Sequence, residues 1–523
     1  MKKVILLLAI LLVIALISEQ NPAHAGKTLI VGVPKEPHRL EGRTNSIASR
    51  YFAPSLLEVL GWIDFDLNIS PQLAESWEIS EDCKKYIFRL KKGIKFHSGQ
   101  PFNAEAVKLN IEGALGLLKN WESTKEPAMI QMVENIKVLD DHTVEVNLKI
   151  PSIEFLLGGA SYNILSIVCP ASAEKYGKVD YGMKYLAGTG PFKWGEWVRG
   201  DKIVLLKNED YWGSRTGNVD KIIFKIIPDA QSRVMALEKG EIDIDPDIPS
   251  HEVERLSSHP DVRMHMTEGT RTMYFVLNTV KGPTSDKKVR RALMHAVNID
   301  EIVKKVVGPI GALPTGLVST KVFGNLDVYK KLVPKYDPMK AKTLLMEAGW
   351  KDTNGDGLLD KNGKNMEITI VAPNNRAPKD RECAEAIHHQ LRKIGIDAKL
   401  EIVEWAYFIT GMKNRSLDAC VYAWMCVTGD ISYIYGNFLE AKSSWNAGGY
   451  NNPQVEKLIK LGREEPDSKK REKMHYEVAK IIIEDGLMMP LFHENVTVAT
   501  RKNIKGFKPH PSGRLFLHNV VVE

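Results

Sequence analysis

Two hydrophobic rhythms alternate along this chain, one of period two and one near 3.6, and turn or cap residues mark the switches. Tyr86, Phe88 and Leu90 alternate with Ile87, Arg89 and Lys91, which predicts a strand buried on one face. Gly93 then turns the chain so that Ile94 and Phe96 return as its hairpin partner. After Ser98, Gly99, Gln100 and Pro101, Asn103 reads as a helix N-cap with Glu105 in the positive first turn. Val107, Ile111, Ala114 and Leu118 keep helical spacing behind it. A second hairpin is predicted from residues 137–139, a turn at Asp140, Asp141 and His142, and Val144, Val146, Leu148 and Ile150 before Pro151.

Elsewhere the pattern reads strand, helix, strand. Residues 28–33 predict an opening strand. Residues 222–227, a helix capped by Asp229 and stopped by Gly240, and a strand starting at Ile242 and Ile244 have joints short enough to require a parallel crossover. The same grammar returns in residues 368–371, a helix through Ala384, Ile387, Leu391 and Ile394 stopped by Gly395, and a strand carrying Ala398, Leu400 and Ile402. One such unit in each half predicts two α/β lobes. Between them residues 274–279 read as a crossing strand, Asp286 caps a helix, and Asp337 and Pro338 set N-cap and N1 of another.

The first 25 residues change the picture. Lys2 and Lys3, an apolar run over residues 4–17 and Ala23-His24-Ala25 form a secretory leader, too short to span a membrane comfortably. No cysteine follows the cleavage point, so a lipid-anchored form is not expected. The formal charge of +6 falls to about +5 when the leader takes Lys2, Lys3 and Glu19 with it. With Lys and Glu interspersed, nothing points to nucleic acid or a membrane surface. The five cysteines, an odd number, match no zinc spacing; Cys420 and Cys426 are spaced for one disulfide, with free thiols the favoured reading.

Several motifs carry less than their wording suggests. Asp352, Asn354, Asp356 and Gly357 imitate a calcium loop, but Gly363 stands where a bidentate Glu is needed, and a hairpin turn accounts for them. His388 and His389 point about 100° apart on a helix and cannot chelate from one face. His97, at a turn, reads as a hydrogen-bonded structural residue. Neither G-x-S-x-G nor H-E-x-x-H occurs.

Ser76-Trp77, Ser80, Asp82, Lys95-Phe96-His97, Gly99, Pro101-Phe102, Ala104-Glu105 and Val107 stand in an order that resembles the signature region of the family 5 extracytoplasmic solute-binding proteins, the peptide- and nickel-binding receptors of ABC importers. Residues 188–192 and 210–213 are similar to further phrases of that family, and residues 277–284, 289–298 and 336–350 are similar to its nickel-binding branch. The resemblance implies an α/β class II periplasmic-binding-protein fold. Residues 26–70, 187–271 and 488–523 would form lobe I, residues 71–186 a small α+β subdomain inserted in it, and residues 272–487 lobe II, hinged near 272–278 and 485–490. Residues 1–25 would be the signal peptide.

The resemblance also nominates a site. Arg50 and Tyr51, behind the Pro34-Lys35-Glu36-Pro37-His38 loop, would line the cleft; Arg50 is either a solvated charge or a fork for a ligand carboxylate. Asp430 stands where peptide-binding members hold the ligand ammonium, and Trp424 where a tryptophan packs on peptide or on a metal chelator. Trp121 matches another cleft tryptophan of the nickel branch, with a core aromatic as the competing reading. Trp445 lies where that branch places a nickel-ligating histidine, and the arginine it carries before an Ala-Pro-Ser turn is missing from residues 162–170. Peptide and nickel chelate therefore both stay open, metal ligands are unknown, and nickel enters only as cargo, with no cofactor. The expected partners are the solute and the permease subunits of an importer, with a monomer acting in the periplasm. A secreted hydrolase and a chemosensory receptor without transport are the rival classes.

Overall fold

The computed structural model describes residues 26–41, 49–121, 123, 130–160, 165–324, 330–374 and 376–523. Residues 1–25, the expected leader, lie outside them, as do residues 162–164 of the stretch that lacks the arginine.

The chain opens with β1 (Lys27–Val33), which buries Leu29, Val31 and Val33, and α1 (Ser49–Leu56), which sets Tyr51, Phe52 and Leu56 against that core. It then builds a separate small module from β2 (Ala74–Ile79), β3 (Lys85–Leu90), α2 (Ala104–Ala114), β4 (Val133–Asp140) and β5 (Thr143–Leu148). Its antiparallel sheet has the order β2-β3-β5-β4. Tyr86, Phe88 and Leu90 pack with Val107 and Ile111 of α2 in one core, as their alternation requires. Asn103 caps α2 by accepting the Ala106 N–H, although the helix ends before Leu118. One expectation fails: β3 does not pair with residues 94–96. Both its edges are taken by β2 and β5, and residues 94–96 fold on residues 100–102 instead, with Phe96 N–H on the Gln100 carbonyl and Phe102 N–H on that of Ile94.

The first lobe resumes with β6 (Phe192–Val198), β7 (Lys202–Lys207), β8 (Val219–Ile226), α3 (Ala230–Lys239) and β9 (Ile244–Asp245). Asp229 caps α3 through the Ser232 N–H, and Gly240 ends it in the left-handed region at φ 75°. β8 and β9 flank β1, both parallel to it, so the crossover forms as expected.

β10 (Val262–Leu277) then carries the chain into the second lobe. There α4 (Lys287–Ala296), β11 (Glu367–Pro373), α5 (Asp380–Arg392), β12 (Asp397–Val403) and β13 (Ala419–Met425) complete the second parallel unit. Helices α6 (Pro453–Glu464) and α7 (Ser468–Glu484) follow, and β14 (Met488–Arg501) returns to the first lobe. In β13, Val421 faces one core and Cys420 and Tyr422 the other, so this part of the sheet is covered on both faces. All five cysteines are buried free thiols, Cys420 and Cys426 included.

A continuous sheet of order β12-β11-β13-β10-β14-β9-β1-β8-β7-β6 thus joins the lobes through the antiparallel pair β10–β14. The pair slips register between Glu268 and Thr272. There the backbones approach so closely that a Cβ on Gly269 would lie 2.7 Å from the Glu494 carbonyl oxygen.

Candidate functional site

Open α/β sheets place their ligand crevice at the carboxyl ends of parallel strands. Here Pro34 and Lys35 follow β1, residues 246–251 follow β9, and residues 376–379 follow β11, and these segments converge on one cavity of about 390 Å³. Arg50 and Tyr51 of α1, Arg271 of β10 and residues 494–497 of β14 complete its walls. Both lobes and the strands that cross between them therefore contribute. A wider concavity of about 990 Å³ lies on the small module, lined by polar and charged residues such as Asp82, Lys85, Lys137 and Lys149, away from this crevice.

Four guanidinium groups come to the cavity from different elements: Arg50 on α1, Arg233 on α3, Arg271 on β10 and Arg376 after β11. Arg271 meets Glu494 beside the register slip of the β10–β14 pair, its Nη1 lying 2.8 and 2.6 Å from the two carboxylate oxygens. Arg50 donates from Nη2 to the Tyr51 hydroxyl at 2.7 Å, while its buried Nε has no hydrogen-bond partner among the described residues. Burial works against its charge, but Tyr51, Asp247 and Glu494 outweigh that and raise its pKa above the ordinary range. Arg376 lies 4.8 Å over the Trp405 ring, and partial desolvation followed by the charge of Arg271 lowers its pKa. Lys379 is matched by Glu382 at 3.1 Å and Arg233 by the buried Asp245 at 3.2 Å.

The residues nominated from sequence divide. Arg50 and Tyr51 line the cavity. Trp424 and Trp445 meet edge to face, their centroids 4.7 Å apart, with Phe438 5.4 Å from Trp424; neither tryptophan is among the cavity-lining residues. Trp121 is buried in the first lobe's core with Tyr51 and Phe52, its ring filling the space beside Gly113. Asp430 is buried too: it accepts Ser432 N–H at 2.9 Å and Ser432 Oγ at 2.7 Å, and pairs with Arg471 Nη2 at 3.3 Å. Lys35, Asp247, Arg271, Arg376 and Glu494 were not singled out from sequence. The strand-end rule flags Lys35, Asp247 and Arg376 once the parallel units are recognised, whereas Arg271 and Glu494 are 223 positions apart and only the β10–β14 register joins them.

Other motifs settle into structural roles. His97 accepts the Gly188 N–H on Nδ1 at 3.1 Å and so donates from Nε2 to the Gly190 carbonyl at 2.9 Å. Asp352 accepts the N–H groups of Gly355 and Gly357, closing the calcium-like segment as a turn. Among the described residues no three His, Cys, Asp or Glu side chains are grouped to hold a metal, and no helix is long and apolar enough to cross a membrane.

The profile of the bacterial extracellular solute-binding proteins, family 5, matches residues 68–446. The oligopeptide-binding protein AppA of Bacillus subtilis is 30% identical over 94% of this chain and 90% of its own length. The chain belongs to this family. Solute-binding proteins of family 5 are binding proteins, not enzymes. Their two-lobed α/β fold is the one found here: the structure of AppA from Bacillus subtilis in complex with a nonapeptide superposes with a TM-score of 0.77 at 27% identity, covering 95% of this chain and 99% of that one. NikA from Brucella suis, solved with Fe(III)-EDTA, gives a TM-score of 0.83 over 95% of this chain and 100% of its own, and at 24% identity that likeness speaks to the fold.

Proposed function

We propose that this family 5 protein is the substrate-binding protein of an ABC importer, capturing a small peptide or a metal chelate between its lobes and presenting it to the membrane permease. The observation that carries this reading is the cavity at the strand ends, walled by both lobes and by the strands joining them. A solute held there bridges lobe I (26–70, 187–271, 488–523) and lobe II (272–487), so binding favours the closed arrangement that a permease reads. The protein acts as a monomer in the periplasm after losing residues 1–25, and nickel enters only within the cargo. At about 390 Å³ the cavity suits a compact ligand. An extended nonapeptide, roughly 30 Å long, does not fit it.

Native mass spectrometry of protein purified from its host, with metal analysis of the same sample, identifies the cargo. Adding that cargo to stripped protein is expected to reduce the radius of gyration in solution scattering. An unchanged radius at saturation removes the receptor reading.

A further inference from the structure

The paired charges around the cavity cancel: Arg271 with Glu494, Lys379 with Glu382, Arg233 with Asp245. Lys35 also lines the cavity and is exposed, its flexible stem leaving its ammonium in no fixed place. What remains is one guanidinium on each lobe. Arg50 stands on α1 with its Nη2 on a neutral phenol, and among the described residues its Nε has no partner and no carboxylate reaches ion-pair distance. Arg376 stands on the loop after β11, its face on Trp405 and its donors without a hydrogen bond or ion pair among the described residues. Carboxylates match such planar forks with two parallel N–H···O bonds. Asp247 lies toward Arg50, and Asp380, whose carboxylate accepts the backbone N–H groups of Arg376 and Ala377, acts on Arg376, but among the described residues neither acid forms an ion pair with either guanidinium. The site that other members' resemblance assigns to a ligand ammonium is closed, because Asp430 is buried against Arg471 and Ser432.

Resting on the receptor reading, we propose that the preferred cargo is a compact dicarboxylate, one carboxylate held by Arg50 on lobe I and the other by Arg376 on lobe II. A ligand with one carboxylate satisfies one lobe only; a ligand with two, at its ends, ties the lobes together. Phosphate esters offer the same charge on a single head and so engage one arginine without bridging the two.

The test uses the full chain after residue 25, stripped of ligand. Titration calorimetry compares unbranched dicarboxylic acids of about four to eight carbons with their half-amides, with a sugar phosphate and with a neutral dipeptide. Dicarboxylates are expected to bind roughly ten- to hundredfold more tightly than half-amides of equal length. Arg50→Gln and Arg376→Gln should each bring that ratio close to one, and Arg50→Lys and Arg376→Lys should recover only part of it, with apo melting curves recorded beside them to separate loss of fold from loss of binding. Equal binding of acid and half-amide overturns the proposal, as does tighter binding of the sugar phosphate. If the neutral dipeptide binds and closes the protein while dicarboxylates do not, the dicarboxylate assignment falls and the receptor reading stands. If the cargo identified from the host leaves the protein open, the receptor reading itself falls.

Discussion

Arg471 brings its Nη2 to 3.3 Å from Oδ2 of Asp430, with both side chains almost wholly shut off from water. Phe323 lies under the guanidinium at 4.5 Å, and Ser432 satisfies the other carboxylate oxygen. Breaking a buried pair by removing one partner leaves an uncompensated charge in low dielectric, which costs about 3 kcal/mol or more. Asp430→Asn is therefore expected to lower unfolding stability in urea by about that amount while ligand affinity moves less than tenfold. Wild-type stability with a large affinity loss would give Asp430 back to the ligand.

Arg463 fastens the small module to the second lobe. Its Nε meets Glu154 at 3.0 Å, its Nη1 pairs with Glu440, and the Ile153 N–H donates to its carbonyl at 2.9 Å. Arg463→Ala keeps the backbone bond and loses both ion pairs, about 1 kcal/mol for partly exposed groups. Hydrogen exchange of residues 152–156 in the apo protein should speed up roughly fivefold, the factor that energy represents. Unaltered exchange would show that the module is held by packing alone.

Glu58 sets one pH dependence. Its carboxylate accepts from Thr189 at 2.7 Å, Trp212 at 2.8 Å and Tyr211 at 2.9 Å, yet burial outweighs these donors and pushes its pKa up to about 7 from 4.5. The folded state thus holds the proton more tightly than the unfolded chain does. The stability this contributes is present at low pH and is lost as pH rises between about 4.5 and 7. Urea titrations at pH 5 and pH 8 should show wild type falling relative to Glu58→Gln by up to about 3 kcal/mol, taking 1.36 kcal/mol per pH unit. Parallel pH curves for the two proteins would refute it.

His97 works in the opposite sense. Burial lowers its pKa to about 4, so the folded ring is neutral where the unfolded ring, near 6.5, takes a proton. Stability is lost as pH falls from 6.5 towards 4. His97→Ala should cost about 2 kcal/mol at pH 7, from two lost hydrogen bonds and the backbone groups left without partners, and should flatten the acid limb of the stability curve. A steep acid limb surviving in the variant would place the titrating group elsewhere.

Local signals carried most of the secondary structure. Asn103, Asp229, Asp286 and Asp337 each accept the backbone N–H expected of an N-cap, because capping depends on the next three residues alone. β3 takes its partners from β2, across the short turn at residues 80–84, and from β5, beyond α2 and β4, and its period-two alternation does not tell these apart from a return at Gly93. The site was legible in part: Arg50 and Tyr51 were nominated, and their helix faces the cavity. Asp430 has the wording of a ligand residue, but its environment is fixed by Arg471, 41 positions later, and its burial is a fact of tertiary packing. Arg376 has no motif; its meaning comes from standing at the end of a parallel strand.

The placement of Arg50, Arg271 and Arg376 also divides their mechanical work. Arg271 and Glu494 sit on β10 and β14 beside the register slip, so on the proposed receptor reading they lie near the axle about which the lobes would turn and have almost no lever arm. Arg50 and Arg376 stand out on the jaws. A solute that touches only the axle gains affinity without doing work on the jaws, and the protein stays ajar however tightly it is held. On that reading closure would demand a molecule that pulls on both jaws at once, and affinity and transport competence would be separable quantities.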